Sequence, residues 1–297
     1  MINKNLRMIC CFIFFIFNHQ VFAEAEKVIY GEDNRQDLKD VTNPAYLDWA
    51  RATAAMIDGK YLENNSSNTS TVHYQTLKKE IRACPEVLFA EQLAVAECSG
   101  FLVAKNLLVT AGHCVRNIKD CKNKKWVFDY SLKNKTSDAG LILAKNIYEC
   151  QEIITHVEDH YTSDDYTLLR LKRAVQDRVP LAFRNEGKIQ YGTEVVLIGH
   201  PSGLPMKVSA GAYVTKNNQK NYFVTNVDSF GGNSGSPIIN DQSGEVEGIL
   251  VSGSEDYAMD AKRKCRVPNV CLMKGCLGES ATRITNLSKL ILELTQE

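Results

Sequence analysis

The chain has no excess of charge of either sign. Lysine and arginine number 35, and aspartate and glutamate number 35. Nothing in that balance supplies the positive field by which proteins hold nucleic acid, so no nucleic-acid partner is expected, and the scattered charges read as a solvated surface. Long apolar runs are missing as well. The one concentrated run, Met8 to Phe17, follows Lys4 and Arg7 and is about ten residues long, where a spanning helix needs roughly 20. Val21-Phe22-Ala23 then offers the small or modest residues of a cleavage site. Residues 1–23 therefore read as a signal peptide, with a retained anchor as the alternative. The mature chain is expected to be secreted, to the periplasm or the medium, with no membrane partner after signal removal. No internal repeat is visible, and 297 residues suffice for one large all-β domain or two small ones.

Cysteine is plentiful. Two of the ten cysteines, Cys10 and Cys11, fall in the leader. The eight that remain are an even number in an exported chain, the usage of disulfides. Cys121 and Cys150 bracket a polar excursion between two strands and make a plausible pair. Cys84, Cys265, Cys271 and Cys276 can pair in three ways. A zinc site in the last three is the alternative, but no histidine lies near them, and the compartment favours oxidation. No metal and no cofactor is expected.

The most informative stretch is Gly-Gly-Asn-Ser-Gly-Ser-Pro at 231–237. Glycine tolerates backbone conformations that other residues resist, so this turn can hold Ser234 outward and aim the amides of Gly232 and Ser234 at one point. A nucleophile beside two converging N–H donors suits acyl transfer, where negative charge develops on a carbonyl oxygen. Upstream, two apolar β-rich runs, Phe101–Ala104 and Leu107–Val109, flank a Lys105-Asn106 turn and read as a hairpin. The second run ends at Thr-Ala-Gly-His-Cys, 110–114. A third segment, Asp-Tyr-Thr-Leu-Leu-Arg-Leu at 165–171, places a carboxylate at the start of an apolar strand.

These three segments resemble the histidine, aspartate and serine motifs of the chymotrypsin/trypsin family of serine endopeptidases, in that family's order. Gly112 stands where alanine is commoner. Gly-Asn-Ser-Gly-Ser-Pro at 232–237 is similar to the serine motif of the bacterial glutamyl-endopeptidase branch, and Val28 to Arg35 resembles the mature start in that branch. The resemblance covers nearly the whole mature chain. It implies an all-β protein of two six-stranded antiparallel barrels with a cleft between them. After a short propeptide at 24–27, the protease domain would span 28–297. The first barrel would occupy about 50–171, the second about 190–260, and a closing helix with leucine and isoleucine at helical spacing about 285–295.

The resemblance also implies roles. Ser234 would attack the peptide carbonyl, His113 would carry the proton, and Asp165 would fix the imidazole, while the Gly232 and Ser234 amides would form an oxyanion hole. Asp164 is the rival carboxylate; neighbouring strand residues face opposite ways, so only one of the two can face His113. A Cys98–Cys114 disulfide would pin the histidine loop. Asp228, Ser229 and Ser252 match substrate-pocket positions. A buried Asp228 at the pocket floor would favour arginine or lysine before the scissile bond, since an unpaired buried charge is costly; the other reading is that it ends a strand and bonds nearby amides. Val251 and Ser252 stand where the glutamyl enzymes carry a histidine, which argues against glutamate preference. Asn233 replaces the aspartate that pairs with a freed amino terminus in trypsin-like zymogens, so that ion pair cannot form. The expected function is a monomeric secreted serine endopeptidase acting on protein or peptide substrates through an acyl-enzyme. The alternatives are a catalytically inactive binding module on the same fold and an exported disulfide-rich structural domain in which the motifs are incidental.

Overall fold

A computed structural model describes residues 28–65, 68–133, 139–159, 161–253, 255–271 and 276–296. The expected signal peptide and propeptide lie outside these residues, as does Ser254.

Twelve strands build two barrels. The first contains β1 (Thr53–Asp58), β2 (Cys98–Ala104), β3 (Leu107–Thr110), β4 (Lys124–Phe128), β5 (Ile147–Asp159) and β6 (Asp164–Leu171). They close in the order β1-β2-β3-β6-β5-β4, every pairing antiparallel. The second contains β7 (Glu194–Gly199), β8 (Lys207–Lys216), β9 (Tyr222–Thr225), β10 (Pro237–Asn240), β11 (Val246–Ser252) and β12 (Glu279–Arg283). Its order, β7-β8-β9-β12-β11-β10 with β10 back on β7, repeats that of the first barrel strand for strand. Closure leaves no long open edge in either sheet. The fold is the all-β trypsin-like one, with a C-terminal helix at Thr285–Thr295.

The strands are where the sequence concentrates β-branched, leucine and aromatic residues. Phe101, Leu102, Leu108, Val109, Trp126 and Phe128 are all fully buried in the first barrel, and Val195, Ile198, Val214, Phe223, Ile238 and Ile249 in the second. In the closing helix, Leu287 and Ile291, four residues apart on one face, are buried against the core.

The second barrel does not end near 260. Its sixth strand is Glu279–Arg283, because the chain leaves the barrel after Ser252 and returns only at 279. That excursion carries a hairpin, Tyr257–Asp260 paired with Cys265–Pro268. Disulfides hold it: Cys84–Cys265 ties it to the segment preceding β2, and Cys271–Cys276 closes its return. These bonds occupy all three sulfurs of the zinc alternative. Cys98–Cys114 and Cys121–Cys150 are also joined. The first residues described pack into the same region. Ile29–Tyr30 runs parallel to Val270–Cys271, and Arg35–Asp37 adds to the β8 edge of the second barrel.

Candidate active site

His113 leaves the end of β3 in a single 3-10 turn, Gly112–Cys114. The Cys98–Cys114 disulfide clamps that turn to β2; a loop of this length contributes about 3 kcal/mol in the chain-entropy account. Asp165, second residue of β6, holds the histidine twice. Its Oδ1 accepts the His113 backbone N–H at 3.0 Å, and its Oδ2 lies 2.7 Å from Nδ1. The carboxylate is acceptor-only, so the Nδ1 contact requires the proton on Nδ1 and leaves Nε2 directed away from Asp165. Asp164 faces elsewhere: its oxygens take the amide groups of Asn221 and Asn286. The alternation of the strand separates the two neighbours. Gly112 is glycine for a local reason. A Cβ there would lie 2.1 Å from the Val157 carbonyl oxygen and 2.8 Å from Asp165 Oδ1.

The 231–237 turn belongs to the second barrel but rests on the first. Ser99 N donates to the Ser234 carbonyl at 2.8 Å, and Ser99 Oγ donates to the Gly232 carbonyl at 2.9 Å. Gly232 and Gly235 have φ of +92° and +85°, values that favour glycine. The Gly231 carbonyl accepts from Ser202 N; in a trans peptide the N–H on the other side, that of Gly232, points the opposite way. The Asn233 carbonyl accepts from Ser236 N, and Ser234 N–H is turned outward in the same manner. Neither amide has a partner among the described residues. The Ser234 hydroxyl likewise has none among them, so the link from Asp165 to His113 is closed and the step on to Ser234 is not. Such links are often long without substrate and tighten on binding.

Two cavities meet here. One, about 520 Å³, is bordered by Ser229, Gly231, Ser234 and Ser252 among others. The second, about 400 Å³, holds His113 and Asp165 and shares Val251 and Ser252 with the first. Histidine and serine thus stand on two sides of one cleft between the barrels.

A family model for the trypsin-like peptidase domain matches residues 98–249, which include His113, Asp165 and Ser234. The chain belongs to the trypsin-like peptidase family. No curated protein matches its sequence. Among solved structures, this trypsin-like peptidase is similar to a Glu endopeptidase in complex with MPD, with TM-score 0.51 and 15% identity over 91% of this chain and 99% of that one. It is similar also to neuropsin, a serine protease expressed in the limbic system of mouse brain, with TM-score 0.51 and 16% identity over 86% and 97%. At such identities the likeness concerns the fold.

The pocket residues divide. Ser229 and Ser252 border the cavity beside Ser234. Asp228 does not. It is buried, and both its oxygens accept from the N-terminal segment: Oδ1 from Tyr30 N at 2.7 Å and Oδ2 from Asn34 N at 3.0 Å. Burial pushes its carboxyl up to about 6 even so. Of the two readings of Asp228, the geometry matches the one in which it bonds amides, and those amides come from nearly 200 residues away. Asn233 is buried and its amide donates to Ser229 Oγ at 3.3 Å. His200 is fully buried, its Nδ1–H on the Leu204 carbonyl and its ring stacked on Tyr130, and burial lowers its pKa to about 3. It is a neutral structural residue.

Three residues of the site had no signal as a motif. Ser99 carries the serine turn. Asp256 Oδ2 accepts from Gly231 N at 2.8 Å, bracing that turn from the excursion side. Glu279 borders the cavity and is buried. Only the position of Ser99 beside Cys98, the clamp of the histidine loop, could have drawn notice.

Proposed function

We propose that this trypsin-like peptidase is a serine endopeptidase working through Ser234, His113 and Asp165. The observation that carries the reading is the double grip of Asp165 on His113, with the Ser234 turn across the same cleft. Asp165 sets the tautomer that leaves Nε2 as base. Ser234 Oγ attacks the peptide carbonyl carbon and gives its proton to Nε2. The oxygen that becomes negative is received by the outward amides of Gly232 and Ser234, where loss of one such donor costs about 10²–10³ in turnover. His113 then passes its proton to the leaving amine, the acyl-enzyme forms, and water releases the acid by the reverse steps. Asp165 stabilises the imidazolium throughout. Four disulfides support an oxidising, exported setting.

The test combines two measurements. A fluorophosphonate reagent that acylates active serines is expected to label the mature protein once, at Ser234, and a peptide library is expected to be cleaved by the wild type and not by Ser234→Ala. A folded protein that neither takes the label nor cleaves any peptide would instead be the inactive binding module.

A further inference from the structure

We propose that Ser202, Asp256 and Tyr257 are positioning residues that hold the Gly231–Gly232 peptide in the orientation that turns the Gly232 N–H toward the substrate's oxygen, so that the excursion after Ser252 governs the acyl-transfer step. The inference rests on the serine-endopeptidase reading and adds what keeps its oxyanion hole formed.

A peptide between two glycines is the part of the serine turn least able to keep its own orientation. Neither residue has a Cβ to oppose rotation about the bonds on either side, so a half-turn of the peptide plane is open to it. That half-turn would bring the Gly231 carbonyl oxygen to where the Gly232 N–H stands, and set a negative dipole end where a negative charge must develop. The orientation has to come from partners. The carbonyl of this peptide accepts from Ser202 N at 2.5 Å, and the N–H of the peptide before it, Gly231 N, donates to Asp256 Oδ2 at 2.8 Å. Gly231 is gripped from both sides, once by the Gly-His-Pro-Ser-Gly turn at 199–203 and once by the excursion.

The two grips are joined to each other. The Ser202 and Tyr257 hydroxyls share a hydrogen bond of 2.6 Å. Ser202 has a φ of +54°, a left-handed conformation that a residue other than glycine keeps when its surroundings impose it, and the Tyr257 hydroxyl is its side-chain partner there. Tyr257 is buried, with its ring 5.1 Å from that of Phe230, the residue before the serine turn. The 199–203 turn cannot follow a moving peptide, because it is fixed to the first barrel: Ala96 N donates to the Gly203 carbonyl at 3.0 Å and His200 N to Ser99 Oγ at 3.1 Å. A Cβ on Gly232 would stand 2.5 Å from the His200 carbonyl oxygen, so the peptide rests directly on that turn. On the excursion side, Asn269 N donates to the Asp256 carbonyl at 3.0 Å, and Tyr257 pairs with Pro268 in the hairpin that Cys84–Cys265 fastens. The excursion thus acts on the reaction through one hydroxyl and one carboxylate, neither of which touches the reacting atoms.

The experiment measures two affinities for each variant, that of a peptidyl trifluoromethyl ketone and that of the matching alcohol, both built on the best-cleaved peptide of the library. Ser234 Oγ adds to the ketone carbon, its proton passes to His113 Nε2, and the ketone oxygen becomes the anion that the Gly232 and Ser234 amides receive. The alcohol fills the same cavity and forms no bond. The ketone-to-alcohol ratio therefore reads the oxyanion hole and is blind to a disturbed pocket. Tyr257→Phe, which keeps the ring on Phe230, is expected to lower this ratio and kcat together by about 10-fold, the worth of one hydrogen bond. Asp256→Ala is expected to lower both by about 10²-fold, the scale of losing one oxyanion donor. Asp256→Asn, which keeps an oxygen for Gly231 N, is expected to restore most of that loss. A wild-type ratio in Tyr257→Phe overturns the inference, and this variant decides even where Asp256→Ala does not fold. So does a loss that ketone and alcohol share, or an Asp256→Asn as impaired as Asp256→Ala; each leaves the endopeptidase reading intact. A wild type that takes no serine label and cleaves nothing removes that reading and this inference with it.

Discussion

Ser99 of the first barrel and Gly232 of the second are joined by a hydrogen bond of 2.9 Å from hydroxyl to carbonyl. The same hydroxyl accepts from His200 N, and the Ser99 backbone N–H holds the Ser234 carbonyl. One residue next to the Cys98–Cys114 clamp therefore registers the serine turn against the histidine loop. Ser99→Ala is expected to strand the buried His200 N–H and to loosen the Gly232 carbonyl. An unsatisfied buried group costs about 1–3 kcal/mol, so denaturant unfolding is expected to show a loss of that order. Steady-state kinetics are expected to show a fall in kcat larger than any rise in KM, since the turn and not the pocket is disturbed.

The two aspartates at the head of β6 are expected to separate in function. Asp165→Asn keeps the shape but reverses the hydrogen-bond requirement at Nδ1, stranding the imidazole in the unhelpful tautomer; a loss of about 10⁴ in kcat is expected. Asp164→Asn alters contacts to Asn221, Asn286 and Thr162, away from His113, and is expected to leave kcat within a few-fold of wild type, with a modest fall in stability of about 1 kcal/mol. Kinetics of the pair on one peptide decides. The reverse pattern moves the orienting role to Asp164.

Gly112→Ala is a test of packing at the same place. The added methyl meets the Val157 carbonyl oxygen and Asp165 Oδ1 at less than contact distance. Backbone must shift or the carboxylate must swing, and an overpacked site of this kind costs about 1–3 kcal/mol. Both movements lengthen the His113–Asp165 contact, so kcat is expected to fall by about 10²-fold, a scale seen for small misplacements of catalytic groups. A crystal structure of the variant would show the displaced pair, and full activity would mean that the strand absorbs the methyl.

What could be read from the sequence was local. The histidine, aspartate and serine segments each carry their meaning within a handful of residues, and the two cysteines beside the first were suggestive for the same reason. What escaped depends on distant chain. Asp228 looks like a pocket residue until the strand at Ile29–Tyr30 returns and takes its oxygens. Glu279 could not be located because the excursion between Ser252 and Glu279 breaks any fixed spacing from the serine motif, and it also hid the true end of the second barrel. The doubled strand order left no repeat in sequence, since a barrel asks only for inward apolar residues at alternate positions. The stretch 64–71 holds no apolar residue, yet its last three residues belong to the strand Thr69–Val72, with Ser70 buried and its hydroxyl donating to Asn64 Oδ1. A buried hydroxyl with a partner costs little, and composition alone does not reveal that partner.

Asp256 gives the site a pH dependence whose sign is fixed by its surroundings. Burial raises its carboxyl to about 6 from an ordinary 3.8, against the opposing donation from Gly231 N. Below about pH 4 it is protonated both folded and unfolded, and stability is unaffected. Between about 4 and 6 the unfolded chain loses the proton while the folded one keeps it, so stability falls as pH rises, by up to about 3 kcal/mol once the group is charged in both states. Asp256→Asn keeps an oxygen for Gly231 N and removes the titration. Urea unfolding of wild type and variant at pH 4 and pH 7 isolates this one group, since the other titrations are common to both. The variant is expected to gain on wild type by that amount between the two values. A difference that does not change with pH would mean that water reaches the carboxylate and that the charge at the turn is screened.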